Sequence, residues 1–157
     1  MKIELMAIGR TTNRELAQLI EHYADRVGHY VPFKFTALPD VKNTRSQSEA
    51  LQKAAEGQLF LRAIEPSDWV VLLDEHGKEL TSVEMSRYVQ RKMQSVPKRL
   101  LFLIGGPYGF SDEVRCRAAE ALSLSKMTFP HELIRLIFVE QLYRAFTILR
   151  GEPYHHE

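Results

Sequence analysis

The chain has a single cysteine, Cys116, among its 157 residues, so no internal disulfide can form and no Cys-X-X-Cys or Cys/His metal spacing can be built on it. That usage suits a reducing cytosol. An excess of one charge is also missing: 21 Lys and Arg stand against 20 Asp and Glu. The formal net charge of +1 supplies no global field that would draw the protein onto nucleic acid or an anionic membrane. A site for a polyanion must therefore be local. Long apolar runs are absent too. Leu100 to Ile104 falls far below the ~20 residues a membrane helix needs. The opening Lys2 to Gly9 is interrupted by Glu4 and too short for a signal-peptide core, so no targeting or spanning segment is expected and a soluble cytoplasmic protein is. With 45% hydrophobic and 26% charged residues the composition is that of a globular protein, which excludes disorder and low-complexity scaffolds. A chain of this length makes one domain, residues 1–157, burying roughly 68–70% of its unfolded surface.

What is present is an alternation of strand-like and helix-like runs without repeat or linker. Strands are expected at Lys2 to Gly9, Phe33 to Leu38, Trp69 to Asp74, Leu100 to Ile104 and within Leu122 to Phe129. Helices are expected to start at the capping-box spacings Thr12 to Glu15 and Ser46 to Glu49, at Thr81 to Glu84, after Ser111, and after Pro130, the last ending at Gly151 and Pro153. The near-continuous apolar strands point to an α/β fold, a mostly parallel sheet of five to six strands with helices on both faces. In the last helix, His131 to Leu149, the apolar residues exceed one narrow stripe, which makes it the expected contact of a homodimer, to be split by a charge such as Phe138→Glu.

In open α/β sheets ligands bind beyond the carboxyl ends of strands, here the loops after Leu73, Ile104 and Leu124. Gly105-Gly106-Pro107-Tyr108-Gly109 allows close backbone approach, but it lacks the Lys-Ser/Thr of a P-loop and the spacing of a dinucleotide fingerprint, and it also reads as a plain tight turn. His131-Glu132-Leu133-Ile134-Arg135 resembles half of a zinc-protease helix, yet Arg135 stands at the second ligand position and a guanidinium cannot bind zinc, so no metal is expected. A surface His beside a paired Arg is the alternative to a binding role. Arg87, Arg91, Lys92, Lys98 and Arg99 form an acid-free basic run, either a solvated face or a phosphate contact. Cys116 reads as a partly buried helix residue. Tyr154-His155-His156-Glu157 either frays or supplies stacking and proton-handling groups.

Taken together, Gly105-Gly106-Pro107-Tyr108-Gly109, Leu124-Ser125-Lys126-Met127-Thr128-Phe129-Pro130-His131, Arg135, Glu140-Gln141-Leu142-Tyr143-Arg144-Ala145 and Gly151-Glu152-Pro153-Tyr154-His155 resemble the RlmH family of small SPOUT-class methyltransferases over the full chain. The resemblance implies S-adenosyl-L-methionine as cofactor, methylation of N3 of a pseudouridine in 23S rRNA of assembled ribosomes, a trefoil-knotted C-terminal half and a homodimer. It places Leu73, Gly105, Gly106, Leu124, Ser125, Lys126, Met127, Thr128 and Phe129 around the methyl donor. His131, Arg135, Tyr154, His155 and His156 would face the RNA. His156 departs from similar tails, which carry Lys or Arg there. The rival readings are a non-catalytic RNA- or ribosome-binding domain and a small-molecule enzyme using a nucleotide at the glycine loop.

Overall fold

The structure, a computed structural model, describes residues 1–41 and 48–157. Strands β1 (Lys2–Ile8), β2 (Phe33–Leu38), β3 (Trp69–Glu79), β4 (Arg99–Ile104) and β5 (Glu120–Ser123) form one sheet in the order β2-β1-β4-β3-β5. Every neighbouring pair is parallel, so the expected α/β sheet has five strands of one direction. Between and after them run helices α1 (Arg14–Val27), α2 (Glu49–Ala63), α3 (Ser82–Ser95), α4 (Asp112–Arg117) and α5 (His131–Arg150). Because successive strand residues face opposite sides, Ile3, Leu5, Leu100 and Phe102 pack under α1, α3 and α5, while Met6, Ile8, Leu101 and Leu103 pack against Phe60 of α2 and Val114 of α4. Two buried faces explain why the strands read as unbroken apolar runs.

Local chemistry decides the helix starts, and two differ from expectation. The N-cap of α1 is Asn13, whose side-chain oxygen accepts from the Leu16 N–H at 3.0 Å. Thr12 is drawn away by a distant partner: its N–H and hydroxyl donate to Glu132 at 2.7 and 2.6 Å, and the Asn13 N–H joins them at 3.1 Å. The Thr12 hydroxyl first, and then the Asn13 N–H, hold the Glu132 carboxyl below its ordinary range and tie the first turn of α5 to that of α1. Ser46 lies outside the described residues; Ser48 caps α2, accepting from the Leu51 N–H at 3.2 Å. Thr81 and Glu84 make the reciprocal capping box at α3.

Strand β3 runs past the expected stop at Asp74, because residues 74–77 bulge out and Leu122 of β5 aligns with both Leu73 and Lys78. Gly77 makes this feasible: a Cβ there would lie 2.7 Å from the backbone of Ala121 and Leu122. β5 is correspondingly short, ending at Ser123 and releasing Leu124 to Pro130 as a loop.

Part of the apolar surplus of α5 is buried within the chain, while Leu133, Leu136, Ile137, Ile148 and Leu149 are half-buried. Phe138, Val139, Leu142, Ala145 and Phe146 are all buried, with the Phe138 ring 4.6 Å from that of Phe102, so Phe138 is a core residue and a charge there does not probe a contact between copies. A charge at Phe138 would unfold the protomer. The basic run is likewise divided. Arg99 is buried in an ion-pair cluster with Glu4 and Asp68, and the Lys92 ammonium lies 4.1 Å from the centre of the Trp69 ring and 3.2 Å from Glu120, leaving Arg87, Arg91 and Lys98 exposed. Cys116 is exposed, not partly buried. Among the described residues no helix is long and apolar enough to cross a membrane.

Candidate active site

At the carboxyl ends of β3, β4 and β5 a cavity of about 360 Å³ opens. Its walls come from Leu73 to Glu75 on the β3 bulge, Gly105, Gly106, Gly109 and Phe110 after β4, Leu124, Ser125, Met127, Thr128 and Phe129 after β5, and His131 and Ile134 on α5. All the residues expected around a methyl donor therefore line it except Lys126, whose ammonium points outward to Glu79 at 3.6 Å. Met127 is 74% exposed at the rim, an apolar side chain available to cover a ligand.

Each wall is held by local hydrogen bonds. The Gly109 N–H donates to Gly106 O at 3.1 Å, closing a tight turn that Gly109 completes at φ 79°, a conformation natural only to glycine. Gly105 serves the same turn by close approach, since a Cβ there would meet the Gly109 backbone at 3.2 Å. After β5, the Ser123 hydroxyl donates to Ser125 O at 2.8 Å and the Met127 N–H to Ser125 Oγ at 2.9 Å. The Thr128 hydroxyl donates to Glu75 at 3.1 Å, pinning this loop to the β3 bulge. Asp74 faces the cavity with Arg115 at 2.7 Å and the His76 N–H at 3.2 Å; burial pushes its carboxyl up, but these two partners prevail and hold it below its ordinary value. Among the described residues the lining carries Asp74 and Glu75 and no Lys or Arg, which suits a neutral or cationic ligand and opposes a phosphate.

Gly106 differs from its expected role. Its φ lies outside the left-handed region, and a Cβ would point at Glu56, 2.5 Å from both carboxylate oxygens. Gly106→Val is therefore expected to destabilise the fold by about 1–3 kcal/mol through overpacking against α2. Thermal unfolding of this variant alone and in a Glu56→Ala background checks this: the second substitution should recover most of the loss, whereas additive losses would show that Glu56 is not the obstacle.

The residues expected to face RNA fall into separate places. His131 is exposed at the cavity rim as the first residue of α5. Arg135 is 1% exposed and does not face outward; it donates to Ile8 O at 2.8 Å and Thr11 Oγ1 at 3.0 Å, and burial lowers its pKa. Its guanidinium fastens α5 to the end of β1, which makes it a positioning group. Tyr154 and His155 are half-buried on the side of α5, so the tail is not frayed. The Tyr154 hydroxyl donates to Glu140 at 2.9 Å, Arg144 reaches His155 Nδ1 at 3.1 Å and Glu140 at 2.6 Å, and the Arg144 guanidinium lies 4.7 Å from the Tyr154 ring centre. Burial first, and then hydrogen bonding to Tyr23 and Glu140, pushes the Tyr154 phenol up. His156 is exposed. None of the tail residues lines the cavity; Glu140 stands nine residues beyond His131, roughly 14 Å along the helix.

Asp74 and Glu75 were not singled out from the sequence, although an acidic pair just before His76-Gly77 at the end of an apolar strand was available as a signal. The Glu140–Arg144 pair, four residues apart on α5, is the anchor of the tail and was visible only as part of the quoted motif.

The sequence model of the family described as predicted SPOUT methyltransferase matches residues 1–155. The chain is similar to proteins named Ribosomal RNA large subunit methyltransferase H from several bacteria. That of Parabacteroides distasonis is 55% identical over 157 residues, covering all of both chains. That of Christiangramia forsetii is 54% identical over 156 residues, covering 99% of each, and that of Bacteroides thetaiotaomicron 53% identical over 157 residues, again covering all of both. On a family match spanning nearly the whole chain and relatives above half identity, the chain belongs to the SPOUT methyltransferase family.

Proposed function

We propose that the protein is an S-adenosyl-L-methionine-dependent methyltransferase of large-subunit ribosomal RNA, acting on N3 of a pseudouridine in 23S rRNA of assembled ribosomes. This reading takes residues 1–157 as one methyltransferase domain with the family's trefoil-knotted C-terminal half, working as a cytoplasmic homodimer. The observation that carries it is the cavity at the ends of β3, β4 and β5, where apolar strand ends, a glycine turn and a backbone-rich loop meet under an acidic wall. A donor of that class brings an already activated methyl group and a positive charge, so the protein need only bind, align and exclude water. Peptide groups of Leu124 to Phe129 offer donors and acceptors to an adenine edge, and Leu73, Phe110 and Ile134 supply apolar surface. Asp74 and Glu75 complement the cation. The N3 proton is lost to His131 at the rim or to water. Across α5 from the cavity, Tyr154, His155 and Arg144 make an aromatic and cationic surface suited to stacking and phosphate contact. The relatives' shared name supports the choice of RNA. The lining carboxylates weigh against the rival enzyme that would hold nucleotide phosphates.

The test is methyl transfer in vitro from labelled S-adenosylmethionine to ribosomes of a strain lacking this gene, with mass spectrometry of the RNA. A single new methyl on one pseudouridine of 23S rRNA is the expected result. Donor binding without turnover on ribosomes or free subunits would favour the non-catalytic reading instead.

A further inference from the structure

Glu56 is a buried carboxylate used by neither the sheet nor the cavity wall. It lies on α2 beside Gly57 and Phe60 and is 3% exposed. Its Oε1 has no hydrogen-bond partner among the described residues, and Oε2 receives only a long bond from Gln52 at 3.5 Å. Both oxygens lie 2.5 Å from where a Cβ of Gly106 would sit, and Gly106 itself lines the cavity, so a residue without a side chain stands between this carboxyl and the ligand space. An orphaned carboxylate in such a place is costly by itself and gains from a cation brought near it.

We propose that Glu56 is a specificity-determining residue that makes the cavity prefer a sulfonium cation, the methyl donor, over the uncharged thioether left after transfer. The inference rests on the methyl-donor reading above. When the methyl leaves sulfur for a nitrogen, the sulfonium becomes a thioether and the positive charge disappears from the cavity; the nitrogen's proton departs separately. A fixed negative charge behind Gly106 therefore holds donor and releases product. The other charges nearby do this less well. Asp74 is paired with Arg115, and Glu75 is exposed to water. Asp40 after β2, the charge that acts on Glu56, is an exposed carboxylate. Burial, first, and Asp40 raise the Glu56 pKa, with Gln52 opposing, so the charged form of this carboxyl is the one a nearby cation stabilises.

Calorimetry of S-adenosylmethionine and S-adenosylhomocysteine against wild type and the isosteric Glu56→Gln tests the idea. The donor-to-product affinity ratio should fall about tenfold in the variant, with product affinity nearly unchanged. Equal ratios in the two proteins, or proportional weakening of both ligands, would overturn it and leave Glu56 as a prop for Gly106. If Glu56→Gln does not fold, Glu56→Ala takes its place, and an unchanged donor-to-product affinity ratio in that variant overturns the proposal. A wild type that binds neither ligand overturns the methyl-donor reading and this proposal with it.

Discussion

Truncation after Pro153 is expected to reduce methyl transfer to ribosomes by about 100-fold or more while donor affinity stays within about twofold. Donor affinity should survive because no tail residue lines the cavity. Transfer should fail because Tyr154 and His155 are held in place, by Glu140, Arg144 and the edge of Tyr143, on the surface assigned to RNA. Some stability will go as well, about 1–2 kcal/mol from the lost Tyr154 packing and hydrogen bond, or roughly 2–8 °C in melting temperature. Activity is therefore compared well below the melting temperature of the truncated protein, with circular dichroism as a control and light scattering for the state of association. Equal methylation by the truncated and intact chains would remove the tail from the RNA site.

Arg99→Met should be the most damaging single change to stability, costing about 3–5 kcal/mol at neutral pH. Arg99 is buried and donates to Asp68 at 2.8 Å, Glu4 at 3.1 Å and Ala63 O at 2.9 Å, so its loss strands two carboxylates in an apolar setting. The pH dependence gives the mechanism away. Burial alone would raise the Asp68 pKa, but bonds from Arg99 and the Glu65 N–H hold it below its ordinary value, so Asp68 contributes stability above its unfolded pKa and loses it as pH falls through the folded one. In the variant the stranded Asp68 carboxyl, without Arg99, gains by protonation, so the gap between wild type and Arg99→Met should narrow on acidification. Urea unfolding across the acid limb measures it. A gap that widens toward low pH would refute the ion-pair account. Arg99 is the first residue of β4, at the end of the sheet opposite the cavity, so donor affinity of the folded variant should be unaffected.

Legibility in the sequence followed the range of the forces involved. The strands were readable because burial on both faces leaves a continuous apolar run, as in Leu100 to Ile104. The Gly105 to Gly109 turn and the Leu124 to Phe129 loop were readable as a motif and from their position after strands. Arg99 looked like one member of a basic run because Glu4, its partner, lies 95 positions away. Arg135 looked exposed for the same reason: its acceptor, Ile8 O, is 127 positions distant, and no pattern on α5 reports it. Glu56 was invisible in a weakly amphipathic helix, where only the approach of Gly106 gives its carboxyl a meaning. The β3 bulge escaped notice because periodicity shows where a strand runs, not where its partner skips.

The parallel sheet also orders events during synthesis. β1 lies inside the sheet, with Lys2 paired to Arg99 on one flank and Ile3 to Phe33 on the other. Once the first forty residues have left the ribosome, β1 and β2 can join through α1, but the other edge of β1 stays open until β4 emerges some sixty residues later. An open apolar edge invites pairing with another nascent chain. Glu4 sits in the middle of that edge, a charge without its Arg99, and until the partner arrives it disfavours every docking that would bury it.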